Sequence, residues 1–154
     1  MGKWENFSIW RGRLPHWRAD NVEYYVTFRH SRVLTEAERQ SVFRQLLRCQ
    51  ERGLELTIVC VLPEKSELMF RVNSPKDLSD IVEKAKTKAG KEIVKKSGER
   101  FPPFYAESYD HIVRDDKEFE EYWEQILSAP ADMELVDDPG DYPFLYVPYQ
   151  PESV

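Results

Sequence analysis

The hydrophobic pattern of this chain is strongest in residues 54–73, where two different patterns follow one another. Residues 54–62 are almost continuously aliphatic and β-branched, which is typical of a strand covered on both faces. Pro63-Glu64 interrupts this run. The next residues alternate, with Ser66, Leu68, Phe70 and Val72 on one face and Lys65, Glu67, Met69 and Arg71 on the other. The segment therefore predicts two strands joined by a tight turn, with a polar row on the second strand.

A strand and a helix are predicted before this segment. Residues 22–29 alternate between apolar and polar positions, which indicates a strand with one buried face. Thr35 and Glu38 have the spacing of a capping box, in which side chain and backbone bond reciprocally at a helix start. Gly53 supplies the residue type that commonly ends a helix. We therefore expect a helix between the first strand and the central pair.

Two further helices are predicted after the central pair. Ser74-Pro75 is a typical helix start, and Gly98 marks the end of that helix. Residues 101–105 contain two prolines and are expected to form a rigid connector. Asp115 has the position of an N-cap for the last helix. Residues 129–154 contain five prolines and are expected to wrap irregularly over the body.

The order strand, helix, strand, strand, helix, connector, helix predicts an α+β protein. Its expected architecture is a ferredoxin-like antiparallel sheet with helices packed on it. We expect a single domain spanning residues 1–154, with an N-terminal arm in residues 1–20 and a C-terminal wrap in residues 129–154.

The composition is that of a folded protein with no membrane segment. Hydrophobic residues make up 41% of the 154 positions and aromatic residues 13%, which suits a globular domain. No apolar run reaches the length of a membrane span, and the first residues lack the apolar core of a signal peptide. Cys49 and Cys60 are isolated from each other and have no metal-binding spacing. These features predict a reduced, cytoplasmic protein.

The charge is distributed unevenly along the chain. Residues 1–100 carry 20 Lys or Arg and 14 Asp or Glu, whereas residues 101–154 carry 2 and 14. The net charge of −6 by itself argues against nucleic-acid binding. The acidic part could pack on the basic part, or the basic part could remain available to phosphates. The sequence leaves both interpretations open.

Two sets of residues are candidates for nucleic-acid contacts. The first lies at the N-terminus and in the first strand, where arginines and a histidine are interspersed with aromatic residues: Arg11, Arg13, His16, Trp17 and Arg29. The second is a lysine stripe at helical spacing: Lys84, Lys88, Lys91 and Lys95. Such aromatic and cationic side chains can stack on bases and pair with phosphates. A tryptophan arm packed over the core and a solvated lysine face are the structural alternatives.

Three blocks of sequence together resemble one known family. They are G-R-L-P-H-W at 12–17 followed by Y-Y-V-T-F-R at 24–29, V-L-P-E-K-S-E-L-M at 61–69, and E-S-Y-D-H-I-V-R-D at 107–115 with D-Y-P-F at 141–144 beyond it. Their order and spacing resemble the single-tyrosine HUH transposases (IS200-like), specifically the branch associated with repetitive extragenic palindromes (REP). The resemblance spans about residues 10–145.

The resemblance implies a metal-dependent cut in single-stranded DNA. In this family two histidines, two positions apart on a strand, hold one Mg²⁺ or Mn²⁺ ion that polarises the scissile phosphate. A tyrosine from a later helix then attacks and forms a 5′-phosphotyrosine bond. The enzymes act on hairpin-flanked sites and are often dimeric, so the resemblance also implies DNA as partner and a possible homodimer.

This sequence departs from the family pattern at the metal ligands. Tyr109 matches the nucleophile position, but Lys65 and Glu67 stand where the two histidines belong. A protonated lysine is a poor ligand for a hard divalent ion. The asparagine that the family commonly has after the last helix, before a proline, is replaced by Ala129. We therefore predict that the metal cofactor is lost, that Tyr109 is idle, and that Glu67 pairs with Lys65 or Arg71.

Four hypotheses follow for the function of the chain. The first is a degenerate transposase relative that retains binding of single-stranded or hairpin DNA without cleavage. The second is an active enzyme that uses Tyr109 with a metal site rebuilt from Glu67, Asp110 and His111. The third is a protein–protein interaction or assembly module whose contact surface is the acidic Glu107–Asp141 region together with the aromatic tail. RNA binding is the fourth, since the same side chains would serve either polymer.

Overall fold

The computed structural model describes residues 22–72 and 78–148 of the chain. Within these ranges the elements follow in the order β1 (Val22–His30), α1 (Glu36–Leu47), β2 (Glu55–Val61), β3 (Lys65–Val72), α2 (Leu78–Ser97), β4 (Phe104–Ile112), α3 (Asp116–Asp132) and β5 (Leu145–Tyr146). Short 3-10 helices lie at Arg48–Arg52 and Pro139–Asp141.

The strands form one sheet in the order β4-β1-β3-β2-β5, and each neighbouring pair is antiparallel. Helix α1 connects β1 to β2, and α2 connects β3 to β4, which places these four strands in the ferredoxin-like order. The predicted fold class is therefore confirmed. Helix α3 and the two-residue strand β5 are additions to that arrangement.

Local sequence signals account for the element ends. The Thr35 hydroxyl accepts a hydrogen bond from the Glu38 amide, and the Glu38 carboxylate accepts one from the Thr35 amide, so the predicted capping box is present. Gly53 has a φ of 95° and ends the 3-10 helix that follows α1, a conformation that glycine adopts without steric cost. Asp115 caps α3 through the amide of Glu118. The predicted helix start at residues 74–75 lies outside the described residues.

Helices cover both faces of the sheet. On one face lie α1 and α2, and the Lys86 amine of α2 sits over the Phe28 ring. On the other face lies α3, with Phe119 beneath the Arg71 guanidinium. Strands β2 and β3 are buried along nearly their whole length, as predicted for doubly covered central strands.

The structure corrects two expectations about the C-terminal half. The predicted connector at residues 101–105 is too long, because β4 already begins at Phe104 and continues to Ile112. This strand lies at the edge of the sheet and is mostly exposed, so its sequence lacks the apolar alternation that reveals a strand. Helix α3 runs to Asp132. The irregular C-terminal segment therefore begins after that residue rather than at 129.

His30 links the end of β1 to the turn between β2 and β3. Its Nδ1 donates to the Pro63 carbonyl at 3.0 Å, and the Ser66 hydroxyl donates to Nε2 at 2.9 Å. These bonds require a neutral imidazole with its proton on Nδ1. Burial lowers the pKa of His30 to about 4. The nearby cations Lys86 and Arg39 act in the same direction, whereas the bond to Pro63 opposes it.

This geometry predicts a stability loss in acid that depends on His30. Because the folded pKa lies below the unfolded value of about 6.5, the unfolded chain binds the proton first. The contribution of neutral His30 is complete above pH 6.5 and is lost as pH falls toward 4. We expect the difference in unfolding free energy between the wild type and His30→Asn to shrink by about 3 kcal/mol over this window, as measured by urea denaturation at a series of pH values.

The comparison with His30→Asn is needed because Glu23 titrates in the opposite sense. Burial raises the pKa of Glu23 to about 7, so its contribution falls as pH rises from 4.5 to 7. That effect is common to both proteins and cancels in the difference. Parallel pH profiles for the two proteins would contradict the assignment to His30.

Candidate functional site

Lys65 and Glu67 form an ion pair at the start of β3. The Lys65 ammonium lies 3.1 Å from Glu67 Oε1. The Glu67 side chain is 1% exposed, whereas that of Lys65 is 41% exposed. The predicted pairing of Glu67 with Lys65 is thus confirmed. The alternative pairing with Arg71 is wrong, because Arg71 Nε instead donates to Glu23 Oε1 at 2.7 Å.

The Glu67 carboxylate is held by donors from three elements. Tyr25 of β1 donates its hydroxyl to Oε1 at 3.0 Å, and Gln125 of α3 donates its amide to the same oxygen at 3.1 Å. Lys65 of β3 is the third donor. The other oxygen, Oε2, is buried and has no hydrogen-bond partner among the described residues. One carboxylate oxygen therefore connects β1, β3 and α3.

The groups around Glu67 are poor nucleophiles and poor metal ligands. Cys60 lies opposite Glu67 in the sheet, and burial raises the pKa of its thiol well above the usual range, with a further contribution from the Glu67 charge. Burial also raises the pKa of the Tyr25 hydroxyl, and the nearby Glu67 charge adds to this effect. Both groups therefore stay protonated at neutral pH.

The residues at this position do not fit a divalent cation. The Lys65 ammonium occupies the first ligand position implied by the resemblance and already neutralises the carboxylate at the second. No group of three or more His, Cys, Asp or Glu side chains suited to a metal ion occurs in residues 22–72 and 78–148. A single carboxylate beside an ammonium lacks the several anionic or neutral ligands that Mg²⁺ or Mn²⁺ needs.

The rebuilt site suggested by the sequence is not assembled. His111 is hydrogen-bonded through Nε2 to Glu118 at 2.8 Å. Asp110 is paired with Val26 in the sheet register, whereas Tyr109 is paired with Thr27, which is also the partner of Glu67. Because neighbouring residues of a strand point to opposite faces, Asp110 lies on the face opposite Glu67.

Tyr109 shares the face of Glu67 but lies on a strand. The resemblance implies a nucleophile carried by a helix, whereas Tyr109 belongs to β4. Its ring is edge-on to Tyr25 with centroids 6.2 Å apart, and its side chain is 54% exposed. From α3, Tyr122 stacks on the same Tyr25 ring at 4.2 Å. Helix α3 thus presents Gln125, and not a tyrosine, to Glu67.

Sequence reasoning missed the role of Gln125. It lies between Phe119, Tyr122 and Trp123 on one side and Ile126 and Leu127 on the other, so the only signal was a polar residue bordering an apolar helix face. An amide at that border can face either solvent or the sheet. In this fold the Gln125 amide faces the sheet, because it donates a hydrogen bond to the buried Glu67 carboxylate, which lies far away in sequence.

The predicted nucleic-acid residues are divided between two faces of the sheet. Arg29 is exposed on the face of Glu67, and its guanidinium lies over the Tyr105 ring at 5.5 Å from the centroid. The lysine stripe is exposed on α2, which covers the opposite face: Lys84, Lys88, Lys91 and Lys95. The remaining predicted contacts lie outside the described residues: Arg11, Arg13, His16 and Trp17. The described candidates therefore do not form one continuous surface.

The comparison with known proteins supports the fold. No protein family model and no curated protein sequence matches the chain. A solved REP-associated tyrosine transposase bound to a REP hairpin is similar in structure, with a TM-score of 0.66 and 15% identity over 86% of this chain and 80% of that one. A proposed transposase from Deinococcus radiodurans R1 matches with a TM-score of 0.50 and 15% identity, over 79% of this chain and 94% of that one. The chain therefore has the fold of these transposases.

We expect the Glu67 network to stabilise the fold. In Glu67→Ala the Tyr25 hydroxyl and the Gln125 amide lose their acceptor, and leaving such groups unpaired costs about 1–3 kcal/mol. The free energy of unfolding should fall by about 2 kcal/mol in urea denaturation. Glu64→Ala, an exposed carboxylate in the adjacent turn, is the matched control and should change it by less than about 0.5 kcal/mol. Equal effects of the two substitutions would contradict the prediction.

Proposed function

We propose that this chain is a relative of the REP-associated tyrosine transposases that binds single-stranded or hairpin DNA but lacks metal-dependent strand cleavage. The observation that carries this proposal is the ion pair between Lys65 and Glu67, with Gln125 of α3 bonded to the same carboxylate. Lys65 and Glu67 stand where the resemblance implies the two metal ligands. Their geometry suits a closed hydrogen-bond network instead.

The loss of cleavage follows from elementary nucleophile chemistry. Free tyrosine, whose reference pKa is about 10, is a weak nucleophile at neutral pH unless its target is strongly polarised, as by a divalent metal ion. Tyr109 has access to solvent, but the nearby Glu67 is neutralised by an ammonium. An active enzyme that uses Tyr109 would need a metal site that the residues around it do not supply.

The retention of DNA binding is supported by the fold and by the exposed side chains. The similar transposase structure contains a REP hairpin. In this chain, exposed aromatic rings and cations occur together on β1 and β4, including Arg29, Tyr105 and Tyr109. Rings that stack on bases and cations that meet phosphates are the usual elements of a single-strand site.

No helix in the described ranges has the length and apolarity needed to cross a membrane. A cytoplasmic location and a homodimer remain predictions, and light scattering of the purified protein tests the latter. An assembly role for the acidic C-terminal third is the alternative, and RNA is the alternative nucleic acid.

The absence of cleavage can be tested directly. We expect no covalent protein–DNA adduct when the wild type is incubated with a hairpin-flanked single strand and Mg²⁺ or Mn²⁺, as judged by denaturing gel electrophoresis. The physical reason is the missing metal site. An adduct that disappears in Tyr109→Phe would overturn this part of the proposal and support the active-enzyme alternative.

The retained binding is tested separately. We expect a fluorescein-labelled DNA hairpin with a single-stranded flank to bind at low salt and to weaken as salt rises, measured by fluorescence anisotropy. The slope of log affinity against log salt should be about 0.7 for each phosphate contacted on a single strand. No binding at low salt, where phosphate contacts are strongest, would refute the DNA-binding part.

A further inference from the structure

Two cations lie opposite each other at one end of the sheet. Arg29 of β1 and Lys65 of β3 are direct partners in the antiparallel register. Such partners have Cβ atoms about 5 Å apart and point to the same face. Arg29 is exposed, and 41% of the Lys65 side chain is accessible. Both charged groups can therefore reach a ligand on this face.

This arrangement has an electrostatic cost that the protein itself only partly offsets. Like charges directly opposite one another in a sheet are destabilising. Lys65 has Glu67 as its partner. For Arg29 the described part of the chain supplies the Tyr105 ring and no carboxylate. An anion placed between the guanidinium and the ammonium would remove the repulsion.

The neighbouring side chains indicate what kind of anion fits. Tyr105 is 50% exposed and Tyr109 is 54% exposed. Both belong to β4, which is paired with β1 next to Arg29. Glu67 lies two residues beyond Lys65 on the same face of β3, and its carboxylate already accepts a hydrogen bond from Gln125. An anion with flat, apolar groups on its flanks would use both the cations and the rings.

We propose that Arg29 and Lys65 hold one phosphodiester group of a single DNA strand, and that Tyr105 and Tyr109 stack on the adjacent bases. This inference rests on the proposed function and assigns its binding site. Lys65 supplies an ammonium that attracts the phosphate, and Tyr109 is assigned to a base rather than to the phosphorus atom, so the proposal includes no attack on the strand. The site binds a strand and releases it unchanged.

The lysine stripe of α2 is not part of this site. It lies on the helix that covers the other face of the sheet, so it cannot meet the same phosphate as Arg29. Arg52 is exposed, carries the same charge as Arg29, and lies just before β2 at the end of the sheet opposite Lys65. Arg52→Gln is therefore a matched control, because it removes one positive charge from the molecule without touching the proposed site.

The experiment measures binding of labelled oligothymidylate by fluorescence anisotropy over a range of salt concentrations. Arg29→Gln should weaken binding about tenfold at low salt. It should also reduce the slope against log salt by about 0.7. Lys65→Gln should act similarly, while Arg52→Gln should leave the slope unchanged. Thermal unfolding confirms that each variant is folded, and Arg29→Gln changes only an exposed side chain.

A second comparison separates the phosphate contact from stacking. A strand of abasic deoxyribose phosphates carries the same charge but no bases. Tyr105→Ala and Tyr109→Ala should each weaken oligothymidylate about tenfold and leave the abasic strand unaffected. Equal losses for both strands would overturn the stacking assignment. Tighter binding of oligouridylate than of oligothymidylate would overturn the assignment to DNA.

The failures of the two proposals are distinguishable. If the wild type binds DNA and Arg29→Gln and Lys65→Gln bind equally well, this site is wrong while the proposed function stands. If the wild type binds neither hairpin nor single-stranded DNA at low salt, the proposed function fails and this site fails with it.

Discussion

The buried carboxylate of Glu67 is the constraint on which the site depends. Removing a carboxylate from water costs several kcal/mol unless it is paired and hydrogen-bonded. Here the donors come from Tyr25, Lys65 and Gln125, which belong to three separate elements. The position of α3 on the sheet, the rotamer of Tyr25 and the direction of Lys65 are therefore tied to one another. Removing one member of such a network is destabilising, because it leaves the other buried groups unpaired.

The same network distinguishes what the fold requires from what a reaction would require. A ferredoxin-like sheet needs its apolar faces and its strand order, and neither requires a metal ion. In this chain the polar row of β3 is satisfied within the protein, by Lys65 for Glu67 and by Glu23 for Arg71. A family resemblance in fold therefore places a site without establishing its chemistry.

Much of the fold could be predicted because its signals are local. The alternation in residues 65–72, the capping box at Thr35 and Glu38, and Gly53 each depend on neighbours in sequence, and the structure confirms them. Strand β4 was missed because an exposed edge strand needs no apolar alternation. The pairing of Lys65 with Glu67 was predictable from their spacing on one face. The contribution of Gln125 was not, since it depends on how α3 packs across the sheet.

Because β4 lies at the edge of the sheet, it affects the tendency of the protein to aggregate. An outer strand offers unpaired amides and carbonyls to any other extended chain, and natural proteins protect such edges with charge and irregularity. Lys86 donates to the carbonyls of Tyr105 and Ala106, where the register with β1 shifts. Glu107 and Asp110 add exposed negative charges along the same strand. These carboxylates discourage strand-to-strand aggregation, so the stretch of chain that carries Tyr105 and Tyr109 also protects the edge of the sheet.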